Sequence, residues 1–288
     1  PVGHRSVIFD DGRIFVIGGQ HSNHQCSEVY QLIEGESNGT GWTLKRVQSM
    51  NYGHVFHAAC SVGGKIYVSG GSKENYTIME AYDPSKDRWE VKAPMRTGRY
   101  FHTNCSFKHK YGVLFVYVFG GCGKYGSINE QKDLIECYNT RTDYWNRFEV
   151  KDYSLYSGTV FSAAFQLDEN EMYLFGGSRS DSNEKESNIF SIDVTKKRVT
   201  IVEQGPDIPM ILSDFSYFPV YQSIFKNIKA TGKDAGPTLE TFGLTADDQL
   251  NVFKVSYSDR SIITPGGGME LPNLKKELES SSDCKVNQ

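Results

Sequence analysis

The chain has 288 residues, 38% of them hydrophobic and 23% charged, with a net charge of -4. That length supports a sizeable core, and the composition is that of a globular domain rather than a disordered or fibrous chain. The negative balance, with no Lys/Arg cluster, argues against nucleic acid as the partner, and the longest strongly apolar stretch, Val113 to Phe119, is too short to cross a bilayer.

In chain order, a strand is expected from His4-Arg5-Ser6-Val7, a turn at Asp10 to Arg13, and a second strand, Phe15-Val16-Ile17, that ends on Gly18-Gly19. Tyr30 and Trp42 then mark two further strands. The series starts again with Met50 and, seven residues on, His57-Ala58-Ala59-Cys60; a Gly63-Gly64-Lys65 turn leads to Ile66-Tyr67-Val68-Ser69 and Gly70-Gly71, followed by Tyr82 and Trp89. A third copy has Met95, His102-Thr103-Asn104-Cys105, Phe115 to Phe119, Gly120-Gly121, Tyr138 and Trp145. The fourth runs from Ser162-Ala163-Ala164-Phe165 through Asp168 to Glu171 and Tyr173-Leu174-Phe175 to Gly176-Gly177, with Ile192 and Val199 in the places of Tyr and Trp. A fifth, worn copy aligns Phe242-Gly243 with Phe119-Gly120; Val255 lies twelve residues after Gly243 and Ile262 seven after Val255, the intervals from Gly70 to Tyr82 and from Tyr82 to Trp89.

The first glycines of the four clear copies are 52, 50 and 56 residues apart, a period that signals a repeat architecture. Each pair closes a run of aromatic and β-branched residues, the signature of a buried strand running into a tight backbone feature. Asp83-Pro84 or Asn139-Thr140 starts a turn between the Tyr and the Trp, whose side chains then share one sheet surface as core. One unit is therefore four strands. Gly18, Gly19, Gly70, Gly71, Gly120, Gly121, Gly176 and Gly177, with Tyr82, Trp89, Tyr138 and Trp145, form the structural signature. Because they recur together and in order, the chain resembles the kelch-repeat β-propeller family over about residues 1–265.

The resemblance implies an all-β propeller of four-stranded antiparallel blades, with repeats at about 1–46, 47–92, 93–150, 151–204 and 205–265. Family members commonly have six or seven blades. The five visible here leave three readings: a five-bladed ring, a larger ring with a sixth blade missing, or an irregular last blade with extra structure in Gln204 to Thr238. The remaining residues, 266–288, read as a linker and tail, with a short helix at Leu271 to Glu279 as the alternative to a frayed end.

Six cysteines without C-x-x-C spacing suggest a reduced, intracellular protein, and nothing at the amino end resembles a secretory signal. The expectation is a cytoplasmic location, the cytoskeleton included. The sequons at Asn38, Asn75 and Asn104 are of a kind that arises by chance. His21, His24 and Cys26 are three soft donors in six residues, but they lack a fourth ligand and the usual zinc spacing, so a plain polar loop is expected and no cofactor or metal is assigned. His4, His57 and His102 recur by position and read as structural hydrogen-bonding residues of the inner strands, which could also line an axial channel.

In an antiparallel blade the 2–3 loops and the 4–1 connectors share one face. Counted from the first glycine to the Tyr position, the 2–3 segments are 12, 12, 18, 16 and 12 residues, so the long loops are Cys122 to Asp133 and Ser178 to Ser187, and the connector around Met210 emerges beside them. Lys124, Tyr125, Asn129, Glu130, Arg179, Asp181, Glu184 and Met210 are the candidate partner-binding residues. Loop drift without function is the competing reading. The expected function is a non-catalytic protein-interaction module or scaffold subunit that binds protein partners, a large assembly among the options, and neither nucleic acid nor membrane. The resemblance leaves two alternatives, a sugar- or small-molecule-modifying oxidase or isomerase, and the substrate-receptor part of a ubiquitin ligase if the chain is a fragment.

Overall fold

Four sheets of four antiparallel strands follow one another in the first of the chain's two units, Pro1–Ile224, and a fifth stands in the second, Phe225–Gln288. The computed structural model describes residues 3–9, 11–22, 24–34, 42–71, 74, 76–123, 135–152, 159–160, 162–166, 169–175, 178–179 and 188–204 of the first unit, and 226–228, 238–244, 250–256 and 262–263 of the second. Blade one is built from Arg5–Ile8, Ile14–Ile17, Val29–Glu34 and Trp42–Val47; blade two from Ala58–Val62, Lys65–Ser69, Met79–Asp83 and Arg88–Lys92. Blade three has Thr103–Lys108, Leu114–Phe119, Ile135–Asn139 and Tyr144–Phe148, and blade four Ala163–Gln166, Glu171–Phe175, Asn188–Asp193 and Arg198–Gln204. Within each four-stranded sheet the four strands pair in chain order, which gives the all-β meander expected of kelch blades. No helix among the described residues is long and apolar enough to cross a membrane.

The interval of seven residues is a cross-strand pair. Tyr82 lies opposite Trp89, Tyr138 opposite Trp145, and Ile192 opposite Val199. In the fifth sheet, Lys226–Ile228, Thr238–Leu244, Leu250–Ser256 and Ile262–Ile263, the same register sets Val255 opposite Ile262. The worn copy is thus a four-stranded sheet with its pairing intact. Its second strand, however, runs on through Gly243, which pairs with Asn251 where the other copies break off at the glycine.

Blade one departs from the expectation. Leu32 stands opposite Ile14, as Tyr82 stands opposite Ile66, and its partner on the fourth strand is Leu44. Tyr30 pairs instead with Arg46, and Trp42 with Glu34. The 2–3 segment of this blade holds a small ribbon, Gln20–His21 against Gln25–His24, and from Gly18 to Leu32 it spans 14 residues rather than 12. A shift of two keeps every side chain on its own face of the sheet, so the sequence pattern could not reveal it.

Alternate residues of each second strand enter opposite interfaces, which explains why these strands read as unbroken apolar runs. Ile66 and Val68 pack back against Phe15, Ile17 and Val29 of blade one together with Tyr82 and Trp89. Tyr67, between them, packs forward with Val116, Val118, Tyr138 and Trp145. Blades three and four share Phe107, Tyr117, Phe119, Met172, Leu174 and Val199. The Tyr and Trp of blade two stack with ring centroids 5.1 Å apart, and those of blade three lie at 5.2 Å.

The glycines are required on both sides. A Cβ on Gly18 would come within 2.7 Å of the His54 carbonyl oxygen, in the connector to the next blade. One on Gly71 would come within 2.9 Å of the Val55 carbonyl oxygen, in the connector into its own blade. Gly18, Gly19, Gly70, Gly71, Gly120 and Gly121 all have positive φ, which an L side chain resists.

Trp89 is 5% exposed and is expected to cost roughly 3–5 kcal/mol on truncation to Ala. A loss below about 1 kcal/mol in a denaturant titration would contradict its role in the interface between blades one and two.

Candidate functional site

The connectors that lead from one blade to the next, Gln48 to His57 and Ala93 to His102, are held by side chains of the blades they enter. Their first residue is clamped at both backbone groups. Asp87 Oδ1 accepts the Gln48 N–H at 2.9 Å, while the Trp89 indole donates to the Gln48 carbonyl at 2.9 Å. One blade on, Asp143 accepts the Ala93 N–H at 2.9 Å and Trp145 donates to the Ala93 carbonyl at 2.7 Å. Each aspartate also receives a tyrosine hydroxyl, Tyr82 or Tyr138, at 2.6 Å. The Trp and Tyr of the repeat are therefore core residues with working polar ends: the Trp grips the connector directly, and the Tyr holds the aspartate that grips it.

Further along, a buried glutamate on the third strand organises each connector. Glu80 accepts the Asn51 N–H at 2.9 Å, the Asn51 amide at 2.6 Å and the Tyr52 N–H at 3.0 Å. Glu136 accepts the Arg96 N–H at 2.9 Å and the Thr97 N–H at 3.2 Å. A basic residue three positions later completes the set. Arg99 reaches Glu136 Oε1 at 2.8 Å and the Gly120 carbonyl at 2.9 Å, and His54 holds the equivalent place, 3.2 Å from Glu80 Oε1 and 2.6 Å from the Gly70 carbonyl. All four side chains are fully buried. Burial works to raise the Glu80 pKa, but hydrogen bonds from His54 and Asn51 outweigh it and leave the carboxyl below the ordinary glutamate value.

Two residues beyond, the chain turns left-handed. Gly3, Phe56 and Phe101 occupy one repeat position with φ of 70°, 57° and 56°. The Phe56 N–H donates to the Gly3 carbonyl and the Phe101 N–H to the Phe56 carbonyl, each at 2.9 Å, and the two phenyl rings lie 4.5 Å apart. Bulky side chains in this region are strained, so the surroundings must hold them there. The outcome is a pair of stiff connectors that present Asn51, Tyr52 and Arg96 to solvent.

Blade four abandons the polar scheme. Thr159 and Phe190 stand where Arg99 and Glu136 stand, and Lys197 and Val199 replace the aspartate and tryptophan. Backbone takes over the clamp: the Lys151 N–H donates to the Lys197 carbonyl at 2.7 Å, and the Val199 N–H donates to the Lys151 carbonyl at 3.1 Å.

Among the sequence-derived partner residues, Lys124, Tyr125, Asn129, Glu130, Asp181, Glu184 and Met210 lie outside the described residues, as do Gly176, Gly177 and the Leu271 to Glu279 segment. Arg179 is placed by its backbone, opposite Thr159 in a short ribbon. Tyr100 and Cys122 bridge in the same way in blade three, so both long 2–3 loops set out alongside a connector. His21 and His24 face each other across the small ribbon, and Cys26 Sγ is 3.8 Å from the His24 carbonyl oxygen. Among the described residues no group of three His, Cys, Asp or Glu side chains is arranged to hold a metal.

The expected hydrogen-bonding role of the recurrent histidines needs correction. His102 Nε2 lies 3.1 Å from the Ser69 hydroxyl, but both ring nitrogens of His57 are buried without a hydrogen-bond partner. The cause is Ile17, which stands in blade one where blade two has Ser69. The sequon at Asn104 is only 8% exposed and sits within a strand, so the fold closes it to glycosylation. Burial pushes the Cys60 thiol up to about 12 and Cys137 to about 11, which leaves both protonated and unreactive. Glu80, Glu136, Asp87 and Asp143 were not picked out from sequence, although each lies two residues before a repeat Tyr or Trp.

Comparison with known proteins points the same way. The Kelch motif model matches residues 54–96. The human Kelch repeat and BTB domain-containing protein 12 is 26% identical over 180 residues, 57% of this chain and 28% of the relative. Mouse Kelch-like protein 23 is 31% identical over 168 residues, again 57% of this chain and 27% of the relative; zebrafish Kelch-like protein 26 is 28% identical over 140 residues, 47% and 21%. The chain is a kelch-repeat protein. It spans between 21% and 28% of the length of these curated relatives.

Removing one member of the buried pair should be costly. Glu136→Gln leaves the Arg99 guanidinium enclosed without its carboxylate, and a loss of roughly 3–5 kcal/mol is expected in denaturant titration. Because the folded pKa of Glu80 is depressed, the stability it contributes is fully present above the ordinary glutamate pKa of about 4.3 and is lost as pH falls through the folded value. Glu80→Gln should flatten that part of the acid-unfolding curve, and an unchanged curve would contradict the assignment.

Proposed function

We propose that this chain is a non-catalytic protein-interaction module that docks a protein partner on the face formed by its 2–3 loops and 4–1 connectors. The observation that carries the reading is the anchoring of the connectors. Glu80 and Glu136 spend buried carboxylates on backbone N–H groups of Asn51, Tyr52, Arg96 and Thr97 rather than on the hydrophobic core. Such fixed loops lose little entropy on binding, which is what a recognition surface on a rigid scaffold needs. Tyr52 at 42% exposure and Arg96 beside the second pin are of the residue types that anchor interfaces. The long loops with Lys124, Tyr125, Asn129, Glu130, Arg179, Asp181 and Glu184, and the connector with Met210, extend the same face.

One relative's name joins kelch repeats to a BTB domain, and this chain corresponds to about a quarter of that protein. That favours, as a second reading, the substrate-receptor part of a ubiquitin ligase, with the kelch blades as the partner-binding half. The free cysteines at 26, 60, 105, 122 and 137 support an intracellular, cytoplasmic setting for either reading.

Affinity purification with quantitative mass spectrometry tests the proposal. A protein recovered in stoichiometric amount with the parent chain should fall at least tenfold with Tyr52→Ala/Arg96→Glu. The same loss is expected when Cys122 to Asp133 and Ser178 to Ser187 are cut back to the shorter loop length. It should be retained by Val91→Asp, which alters an exposed position on the outermost strand. Undiminished recovery with both loop variants would refute the assigned face.

A further inference from the structure

Where the chain enters the first strands of blades one to three stand a cation and two imidazoles, Arg5, His57 and His102, whose side chains take no part in the carboxylate anchoring of the connectors. Arg5, the first residue of blade one's first strand, is 8% exposed, and its Nε donates to the carbonyl of His57 at 2.7 Å, where blade two begins. Among the described residues no carboxylate pairs with it, in contrast to Arg99 on Glu136. Burial lowers its pKa to about 10, so it stays charged at neutral pH. Enclosed charges ordinarily have a counter-charge, and this one lacks it. The same register position in the next three blades holds Ala58, Thr103 and Ala163, so the cation belongs to blade one alone.

The neighbouring imidazoles are equally uncommitted. His57 is fully buried with neither ring nitrogen hydrogen-bonded, and His102, also fully buried, uses Nε2 on Ser69 and leaves Nδ1 without a partner. Burial first, then the basic groups around them, hold both rings well below the ordinary histidine pKa: His54, Arg5, His102 and His4 face His57, and Arg99, Arg5 and His54 face His102. Each therefore has a proton to donate and a lone pair able to accept another.

We propose that Arg5, His57 and His102 form a binding site for a small oxyanion, a phosphate or carboxylate group, where the inner strands of blades one to three begin. The guanidinium is suited to paired oxygens, and the imidazole N–H groups supply further donors. An arriving negative charge reverses the field at the imidazoles, so binding takes up protons and strengthens as pH falls. The oxyanion comes either from free solute or from an acidic side chain of a bound protein. The site uses buried side chains other than the exposed connector positions of the docking proposal, and its failure would leave that proposal untouched.

Thermal melting of the full chain with inorganic phosphate, against potassium chloride at matched ionic strength, tests the site. A hexaglutamate peptide serves as the second probe. Phosphate is expected to raise the melting temperature more at pH 6 than at pH 8. Arg5→Met should weaken apparent phosphate affinity at least tenfold while melting no lower than the parent without phosphate, since it removes an uncompensated charge. If Arg5→Met does not fold, Arg5→Lys should fold and bind more weakly, having lost the planar fork. Nitrogen-15 spectra should show the His57 and His102 ring signals moving on phosphate addition. A response to hexaglutamate alone would assign the oxyanion to a protein partner's carboxylate. No response to either probe, or an undiminished response in the Arg5 variants, would overturn the site.

Discussion

Blades one to three depend on two connectors passing on either side of residues without a side chain. The first glycine of a pair lies against the connector leaving for the next blade, and the second lies against the connector arriving from the previous one. Main-chain bonds follow from that closeness: the Gly19 N–H reaches the His54 carbonyl at 2.7 Å, and the Gly71 N–H reaches the Arg99 carbonyl at 3.0 Å. The left-handed backbone and the absence of Cβ are both needed, which is a stronger demand than a turn alone would make. Because the connectors pass there, Glu80 and Glu136 can reach their N–H groups and Asp87 and Asp143 can grip their first residues.

The polar devices come and go as a set. Blades two and three have glutamate, tyrosine, aspartate and tryptophan together, whereas blade four has Phe190, Ile192, Lys197 and Val199 in the same places. The coordination has a physical reason. A buried glutamate without its basic partner, or an aspartate without the hydroxyl and N–H it accepts, is a desolvated charge, so losing one member removes the advantage of the rest. Blade four compensates with apolar contacts and a main-chain clamp. The basic member also varies within the intact sets, as His54 and Arg99 show.

Much of this was legible in the sequence. The glycine pairs and the seven-residue interval located the four-stranded sheets, including the fifth, where Val255 and Ile262 pair although neither matches the consensus. Periodicity reads register well because a strand repeats every two residues; for the same reason it is blind to a slip of two, and Leu32 and Leu44 were misassigned to Tyr30 and Trp42. The buried carboxylates escaped notice because a lone glutamate or aspartate in a polar context looks solvated. Their positions were nonetheless fixed relative to Tyr and Trp. The isolation of His57 was beyond reach, since it depends on Ile17 of another blade.

The left-handed phenylalanines carry a consequence for how the chain assembles. Phe56 adopts a conformation that costs an L residue roughly 1–2 kcal/mol, and its N–H has its acceptor on Gly3; Phe101 in turn needs the carbonyl of Phe56. Each of these turns is therefore templated by the one before it. Gly3, which pays no such penalty, is the first of the three described turns. The three turns form a relay with a direction, running from the amino end toward the carboxyl end, the order in which a ribosome delivers them.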